Sequence, residues 1–233
     1  MNNFGDLIGP LLVARIVSEL GLTEPADDRR LVAVGSIMKL TLPGDTVWGA
    51  GVNGKSKDTG GAPHLDVRSV RGPLTRDLLV GAGTAVPEIY GDPALLWSRF
   101  WPREHYTGSA GGAPQREVAV VPNFHDRRRA RGPLVVDPLR LPHAVISDIA
   151  SSAFVCGSSL HGIVIAESFG IPARLIRSHA EPAFKYDDYY SGTGRTSYTT
   201  AETVEEAISM GGESPPDFDG DSLLASFPRD LWP

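Results

Sequence analysis

The sequence predicts an α/β protein with two Rossmann-like domains, each built around a parallel sheet, and a cleft between them. Short apolar runs typical of buried strands alternate along the chain with segments of helical periodicity. Such alternation favours parallel sheets that are covered by helices on both faces. A stretch of small residues at 107–114 (TGSAGGAP) interrupts the alternation and resembles a flexible linker. The length of 233 residues accommodates two small domains.

The first half of the chain contains two helix patterns and three strand patterns. Apolar residues recur at helical spacing from Leu7 to Leu20, and Gly21 follows where a glycine commonly ends a helix. Pro73 suits the first position of a second helix, which Gly81 would end. Strands are predicted at 31–34, 46–48 and 66–70.

The second half of the chain repeats the alternation of strand and helix patterns. Together the two halves define the predicted domain organisation. Strands are predicted at 117–121, 134–136, 153–156 and 173–176, and helices at 142–150, 160–169, 182–189 and 201–210. The acidic end of the chain has no clear period, although Phe227 and Trp232 can dock it on the body. We therefore predict an N-terminal domain at 1–106, a linker at 107–115, a C-terminal domain at 116–210 and an extended tail at 211–233.

Composition excludes several classes of protein. Hydrophobic residues make up 41% of the chain and charged residues 21%, so a sizeable core is available and wholesale disorder is excluded. The net charge of −6 disfavours a global nucleic-acid binder. Apolar stretches are shorter than the ~18 residues of a membrane helix. The single cysteine, Cys156, cannot form an intramolecular disulfide. A cytoplasmic protein that binds no nucleic acid is expected.

A glycine-rich segment after the second predicted strand matches the dinucleotide fingerprint G-x-G-x-x-G. It comprises Gly49, Gly51 and Gly54. The fingerprint requires a helix that begins directly afterwards and aims its amides at a pyrophosphate. The residues that follow here have no apolar period, so a flexible glycine loop at the edge of a cleft is favoured over a Rossmann cofactor site.

The segment from Gly157 to Gly162 (GSSLHG) is the most informative motif. It joins a predicted strand to a predicted helix, and Ser158 or Ser159 can cap that helix. The first-turn amides and the helix dipole favour an anion there. His161 would lie beside this anion site, at the carboxyl end of a strand where α/β sheets bind ligands. The alternative is that His161 only helps to cap the helix.

Arg71 and Arg76 surround a second strand-to-helix turn, in the first half of the chain. Arg71 precedes Pro73 and is expected to project over the helix N-terminus, where its guanidinium can bind phosphate or carboxylate. The alternative for Arg71 is a surface ion pair, for instance with Asp92. The turn Gly91-Asp92-Pro93 positions that carboxylate.

Polar residues after the first strand of the second half form another candidate cluster. Asn123, His125 and Asp126 can bind sugar hydroxyls or transfer protons, although they are equally good turn formers. The arginine run at 127–131 can be a solvated surface, or it can bring the protein to phosphate or an anionic membrane. Lys185 can reach an anion, and the tyrosines beside it can stack on a sugar or pack on the sheet.

Taken in order, six short motifs resemble the polysaccharide pyruvyltransferase family. Two further segments, AESFGIP at 166–172 and KYDDY at 185–189, also fit that family. The resemblance extends from residue 2 to about residue 190. The six motifs are NFGD at 3–6, VWGAG at 47–51, VRGP at 70–73, GDPA at 91–94, VPN at 121–123 and SSLHG at 158–162.

The resemblance implies a fold like the GT-B glycosyltransferases and a transfer of pyruvate from phosphoenolpyruvate to two saccharide hydroxyls as a ketal. The acceptor would be an exopolysaccharide or cell-wall glycan precursor, free or lipid-linked. Family members usually have a strand before the motif that begins at Asn3, so the first domain is expected to lack its N-terminal strand.

The implied chemistry assigns roles to the candidate residues. His161 is the expected acid, and Asp6, Asp92 or Asp126 the proton acceptor. The remaining positions are expected to bind substrate, with no metal and no cofactor besides the donor: Asn3, Asp6, Gly49, Gly51, Arg71, Arg76, Asn123, Ser158, Ser159 and Lys185.

Two alternative functions remain at this point. One is a GT-B-type glycosyltransferase that uses a nucleotide sugar, in which Glu167 can hold the ribose. The other is an inactive remnant that binds saccharide or phosphate.

Overall fold

A computed structural model of the chain describes residues 3–25 and 28–232, and its framework is a pair of three-stranded parallel sheets. The predicted α/β class with parallel sheets is confirmed. One sheet has the order β1 (Leu31–Ala33), β2 (Thr46–Trp48) and β3 (Asp66–Ser69). The other has the order β4 (Arg116–Val120), β5 (Ser152–Gly157) and β6 (Ala173–Leu175).

Helices connect or follow these strands, and most lie where the periodicity predicts them. Their bounds are α1 (Phe4–Glu19), α2 (Pro73–Gly81), α3 (Trp97–Phe100), α4 (Arg103–Thr107), α5 (Pro142–Ala150), α6 (Leu160–Ser168), α7 (Phe184–Gly192), α8 (Val204–Met210) and α9 (Gly220–Ala225).

The end of α1 follows the predicted glycine rule. Gly21 adopts φ +63°, which a residue with a side chain rarely adopts. The Gly21 amide donates to the Ser18 carbonyl, and the Leu22 amide donates to the Val17 carbonyl. This pair of bonds is a Schellman motif, which satisfies carbonyls that the last helical turn leaves open.

The chain folds into two compact units, each containing one sheet. The β4–β6 unit contains the chain up to Ile8, Ala94–Glu181 and Ser197–Pro216. The β1–β3 unit contains Gly9–Pro93, Pro182–Thr196 and the chain from Asp217 onward. These divisions differ from the predicted domain boundaries, because segments distant in sequence join each unit. The predicted linker at 107–115 lies inside the β4–β6 unit, where Gln115 Nε2 donates to the Thr107 carbonyl at 2.7 Å.

The extended tail predicted for 211–233 is divided between the two units, and the chain from Asp217 onward is folded onto the β1–β3 unit. Leu223, Phe227 and Leu231 are buried. The Trp48 indole donates to the Leu223 carbonyl at 3.0 Å, and its ring lies 5.1 Å from that of Phe227. Burial of these apolar side chains against β2 supplies the driving force that the sequence pattern did not reveal.

The β4–β6 unit encloses its central strand and most of α6. Val155 and Cys156 on β5 are fully buried, and so are Val164 and Ile165 on α6. Burial raises the pKa of the Cys156 thiol to about 12. The strand predicted at 134–136 reduces to a single bridge between Val120 and Val135, so it adds no strand to the sheet.

Candidate functional site

Three loops meet at the carboxyl edge of the β4–β6 sheet, where α/β proteins bind ligands. Asp126 follows β4, Ser158 follows β5 and Ser178 follows β6. Both serine hydroxyls donate to Oδ2 of Asp126, Ser158 at 2.8 Å and Ser178 at 2.6 Å. The Asn123 amide in turn donates to the Ser158 hydroxyl at 3.0 Å. The structure thus brings the predicted residues Asn123, Asp126 and Ser158 together.

Asp126 lines a cavity, and the two serines engage only one of its carboxylate oxygens. The residue is only 7% exposed, and it lines a cavity of about 170 Å³ together with Ser158 and His179. Within residues 3–25 and 28–232, no group donates a hydrogen bond to Oδ1 of Asp126. The serines therefore fix the carboxylate through one oxygen and leave the other to accept a hydrogen bond from a ligand.

The start of α6 is organised by Ser159 and Gly157. Ser159 is the N-cap, and its hydroxyl accepts a hydrogen bond from the Gly162 amide at 3.2 Å. Gly157 adopts φ +144° and packs against the Val121 backbone with no room for a Cβ, so only glycine fits this turn. His161 lies half-buried in the first turn of the helix. This arrangement matches the turn predicted from the sequence.

Residues Asn3 to Asp6 start α1 with a capping box and contact His161. The Asn3 side chain accepts a bond from the Gly5 amide at 2.9 Å, and Asp6 Oδ2 accepts one from the Asn3 amide at 3.1 Å. A Cβ at Gly5 would clash with Nδ1 of His161. The predicted residues Asn3 and Asp6 thus stabilise the start of α1, which packs against the imidazole of His161.

This contact yields a testable prediction for Gly5. Gly5→Ala is expected to displace the His161 ring and to cost about 1–3 kcal/mol of unfolding free energy, because the added methyl has no space. Gly81→Ala is the matched control, since no atom lies within 4 Å of a Cβ at that position. Urea denaturation of both variants measures the difference, and equal stabilities would show that Gly5 is not tightly packed.

A buried ion pair occupies the carboxyl edge of the β1–β3 sheet. Arg71 and Asp188 are both fully buried, and Nη2 of Arg71 lies 2.8 Å from Oδ2 of Asp188. The guanidinium also donates to the Ser36 hydroxyl and to the Val52 carbonyl, each at 2.7 Å. Its charge is therefore compensated inside the fold, and these bonds satisfy a group that would be costly to bury alone.

The anion at the N-terminus of α2 is a side chain of the protein itself. The Thr75 amide donates to Oδ1 of Asp188 at 2.8 Å, and the Thr75 hydroxyl donates to Oδ2 at 2.7 Å. A carboxylate at a helix N-terminus is stabilised by the free amides and the helix dipole. Asp188 thus occupies the helix terminus over which Arg71 was expected to project, and Arg71 is bonded to it. The expected binding of substrate by Arg71 stays a prediction.

The two glycines proposed for substrate binding are required by packing. A Cβ at Gly51 would clash with the Arg71 guanidinium, and a Cβ at Gly49 would clash with the Pro93 ring. Both glycines are buried. The glycine loop expected at the edge of a cleft is therefore a buried element, because the guanidinium and the proline ring lie directly against its backbone.

The other predicted residues of the β1–β3 unit are also held by the fold. Lys185 is 5% exposed, with Nζ 4.9 Å from the centre of the Tyr186 ring. Arg76 pairs with Glu88 at 3.1 Å. Asp92 is fully buried. Lys185 and Asp92 are therefore enclosed by the fold, whereas Arg76 is partly exposed in an ion pair at the surface. Their expected roles in binding and catalysis stay predictions.

Sequence reasoning did not assign Asp188 or Ser178 to the site. Asp188 lies in the KYDDY segment that carried the family resemblance, but its partner is Arg71, 117 residues earlier. Ser178 follows the last predicted strand, at the same sheet edge as Ser158. The position of Ser178 after a strand was the available signal, whereas nothing local identifies the pair of Arg71 and Asp188.

Comparison with known proteins places the chain in a family. The family model described as polysaccharide pyruvyl transferase matches residues 31–179, which is more than half of the chain and runs from β1 past β6. The chain belongs to the polysaccharide pyruvyl transferase family. The family resemblance predicted from the ordered motifs is confirmed. The matched region includes Arg71, Asp126 and His161.

A curated relative of the family is the succinoglycan biosynthesis protein ExoV of Rhizobium meliloti (strain 1021). It is 30% identical over 204 residues, which cover 83% of this chain and 62% of ExoV. The chain thus spans less than two thirds of the length of this relative. No solved structure matches the chain. The expected lack of an N-terminal strand in the first domain stays a prediction.

Two features of the described residues concern membrane spans and metal sites. No helix in that part of the chain is both long enough and apolar enough to cross a bilayer. The same residues contain no group of three or more histidine, cysteine, aspartate or glutamate side chains placed to hold a metal ion.

Proposed function

We propose that this member of the family transfers pyruvate from phosphoenolpyruvate onto two hydroxyls of a saccharide as a ketal. The acceptor is proposed to be an exopolysaccharide or cell-wall glycan precursor, handled in the cytoplasm. The observation that carries the proposal is the edge of the β4–β6 sheet, where His161 lies on a capped helix start and Asp126, held by two serine hydroxyls, lines a cavity. An acid, a base and an anion-binding helix start lie within one unit of the chain.

His161 is proposed as the general acid. Imidazole is the side chain best suited to hold and release a proton near neutral pH. The contact with Gly5 and the helix start orient the ring. In the proposed first step, the imidazolium gives its proton to the methylene carbon of phosphoenolpyruvate. That carbon becomes a methyl group, and the neighbouring carbon takes on positive charge.

Asp126 is proposed as the base. Among the three carboxylates considered, Asp6 closes the capping box and Asp92 is fully buried, whereas Asp126 lines a cavity. One sugar hydroxyl attacks the cationic carbon, and its proton goes to the base. The bond from carbon to phosphate oxygen then breaks, and the phosphate leaves with the electron pair. The second hydroxyl attacks the same carbon and passes its proton to the neutral imidazole of His161, which closes the ketal and restores the acid. The proton on Asp126 is then released to water.

The anionic groups of the donor are proposed to lie at the start of α6. Backbone amides of a first helical turn and the helix dipole favour an anion by about 0.3–1 kcal/mol. Ser159 caps this helix. Arg71 and Lys185 are proposed to act on structure instead, since both are buried within the β1–β3 unit. The GT-B-like pairing of the two units stays a prediction.

The proposal is tested by release of inorganic phosphate from phosphoenolpyruvate with a panel of galactosyl, glucosyl and mannosyl acceptors. Release that requires both donor and acceptor is expected. The same panel is run with UDP and GDP in a thermal-shift assay, because a nucleotide-sugar glycosyltransferase would be stabilised by one of them. Stabilisation by a nucleotide without phosphate release would contradict the proposal, and glycan binding without release would indicate an inactive remnant.

A further inference from the structure

An arginine-lined cavity lies in the β4–β6 unit, beside the start of α1. Its volume is about 310 Å³, and Arg127, Arg128 and Arg131 contribute to its wall together with Asp137. Pro138 also lines it, and the Pro138 carbonyl accepts a hydrogen bond from the Phe4 amide at 2.9 Å. The cavity is therefore connected, through the capping box, to the segment on which His161 rests.

The arginines of this cavity differ from most others in the chain because none of them forms an ion pair with a carboxylate in residues 3–25 and 28–232. Most arginines elsewhere form ion pairs, such as Arg68 with Asp66 and Arg177 with Glu202. Of the carboxylates that the structure describes, none lies within ion-pair distance of the three cavity arginines. In a chain with a net charge of −6, three guanidinium groups that outnumber the one lining carboxylate, Asp137, leave a locally cationic cavity.

One of the three guanidinium groups is held in place without being neutralised. Arg127 Nη1 donates to the Phe124 carbonyl at 2.6 Å, and its guanidinium carbon lies 4.1 Å from the centre of the Phe124 ring. Both contacts orient the group and leave its charge intact. Arg128 and Arg131 are exposed at the cavity. The cavity therefore offers one oriented and two exposed guanidinium groups.

We propose that this cavity binds a diphosphate group. Guanidinium groups form paired hydrogen bonds with phosphate oxygens, and three of them match the oxygens and the charge of a diphosphate better than those of a single phosphate. The neighbouring walls contain Val135 and Leu139, which suit the carbon portion of an organic ester. Asp137 lies on the wall as well, and its Oδ1 accepts from the Leu139 amide at 3.0 Å, so that carboxylate is engaged by the backbone.

Because of where the cavity lies, we assign this diphosphate to the saccharide acceptor of the proposed reaction. This assignment rests on the proposed function, since the cavity lies beside the segment that supports His161. A saccharide that enters as a diphosphate-linked precursor would be held by its diphosphate while the sugar extends toward Asp126. The same chemistry has two sources, a lipid-linked diphosphate and a nucleotide-linked diphosphate.

Titration calorimetry with sodium pyrophosphate tests binding apart from turnover. The test variant is the double substitution Arg128→Gln/Arg131→Gln, and the control is Arg15→Gln/Arg29→Gln, which removes the same charge from exposed ion pairs elsewhere. Pyrophosphate is expected to bind the test variant about tenfold or more weakly than the parent and the control. Equal affinity of parent and test variant would overturn the site, whatever the outcome of the transferase assay.

Further ligands separate the possible sources. UDP and phosphatidylcholine vesicles that contain farnesyl diphosphate represent the nucleotide and lipid sources, and each should lose affinity in the test variant if it uses the cavity. Phosphoenolpyruvate is expected to bind parent and test variant alike. If its affinity falls with that of pyrophosphate, the cavity serves the donor and the acceptor assignment is wrong. Binding to phosphatidylglycerol vesicles that pyrophosphate does not compete would indicate only a charged surface.

Discussion

His161→Ala is expected to lower the rate of phosphate release by about 10²–10⁴-fold while the protein stays folded. The residue lies half-buried in the first turn of α6, next to the capped helix start and the Gly5 backbone. Removal of the imidazole deletes the proposed proton donor without removing a hydrophobic core side chain. His161→Asn is the second variant, because amide and imidazole are similar in size but the amide does not titrate.

The control for this prediction is His64→Ala, which removes an exposed histidine in the β1–β3 unit. Its turnover should equal that of the parent. Circular dichroism and urea denaturation of all three variants establish that they are folded. Turnover of His161→Ala at the parental rate would exclude the residue as the acid, whereas loss of activity with loss of structure would be resolved by His161→Asn.

The second large effect is expected for stability, at the pair of Arg71 and Asp188. Arg71→Met and Asp188→Asn are each expected to cost about 3–5 kcal/mol of unfolding free energy, because either change leaves a buried charge without its partner. The double variant should cost less than the sum, since neither charge remains. The total stability of a domain is about 5–15 kcal/mol, so each single loss is severe.

The matched control is the exposed pair of Arg177 and Glu202, whose side chains are 61% and 54% exposed. Arg177→Gln should change the unfolding free energy by no more than about 1 kcal/mol, because water screens an exposed pair. Urea denaturation at neutral pH gives all four values. Additive losses at Arg71 and Asp188 would show that the two side chains do not act as a pair.

Sequence periodicity predicted the elements whose pattern is local. The helices at 73–81 and 142–150 have the predicted bounds, because a proline begins each and the apolar positions repeat within it. The fold of the end of the chain was not predicted, because α9 has only six residues and is too short to show a helical period. The side chains that are buried near the end of the chain, among them Leu223 and Phe227, join the hydrophobic core only through contact with β2.

The candidate site was predictable where it depends on strand ends, and unpredictable where it depends on distant pairs. Ser158, Ser159 and His161 lie in the turn after β5, as the strand-to-helix pattern indicated. Arg71 was expected to face a ligand because its partner Asp188 is far away in the sequence. An arginine beside a helix start has the same local sequence whether it binds a substrate or a buried carboxylate.

Transfer of the three-carbon unit to the acceptor is the most direct test of the account. Uniformly ¹³C-labelled phosphoenolpyruvate is incubated with the protein and the acceptor found in the phosphate assay, and the saccharide is analysed by mass spectrometry. The predicted result is one labelled pyruvate per acceptor, released by mild acid as expected of a ketal, with an equal amount of phosphate. Label found only in free pyruvate, or an acceptor without label, would contradict the proposed reaction.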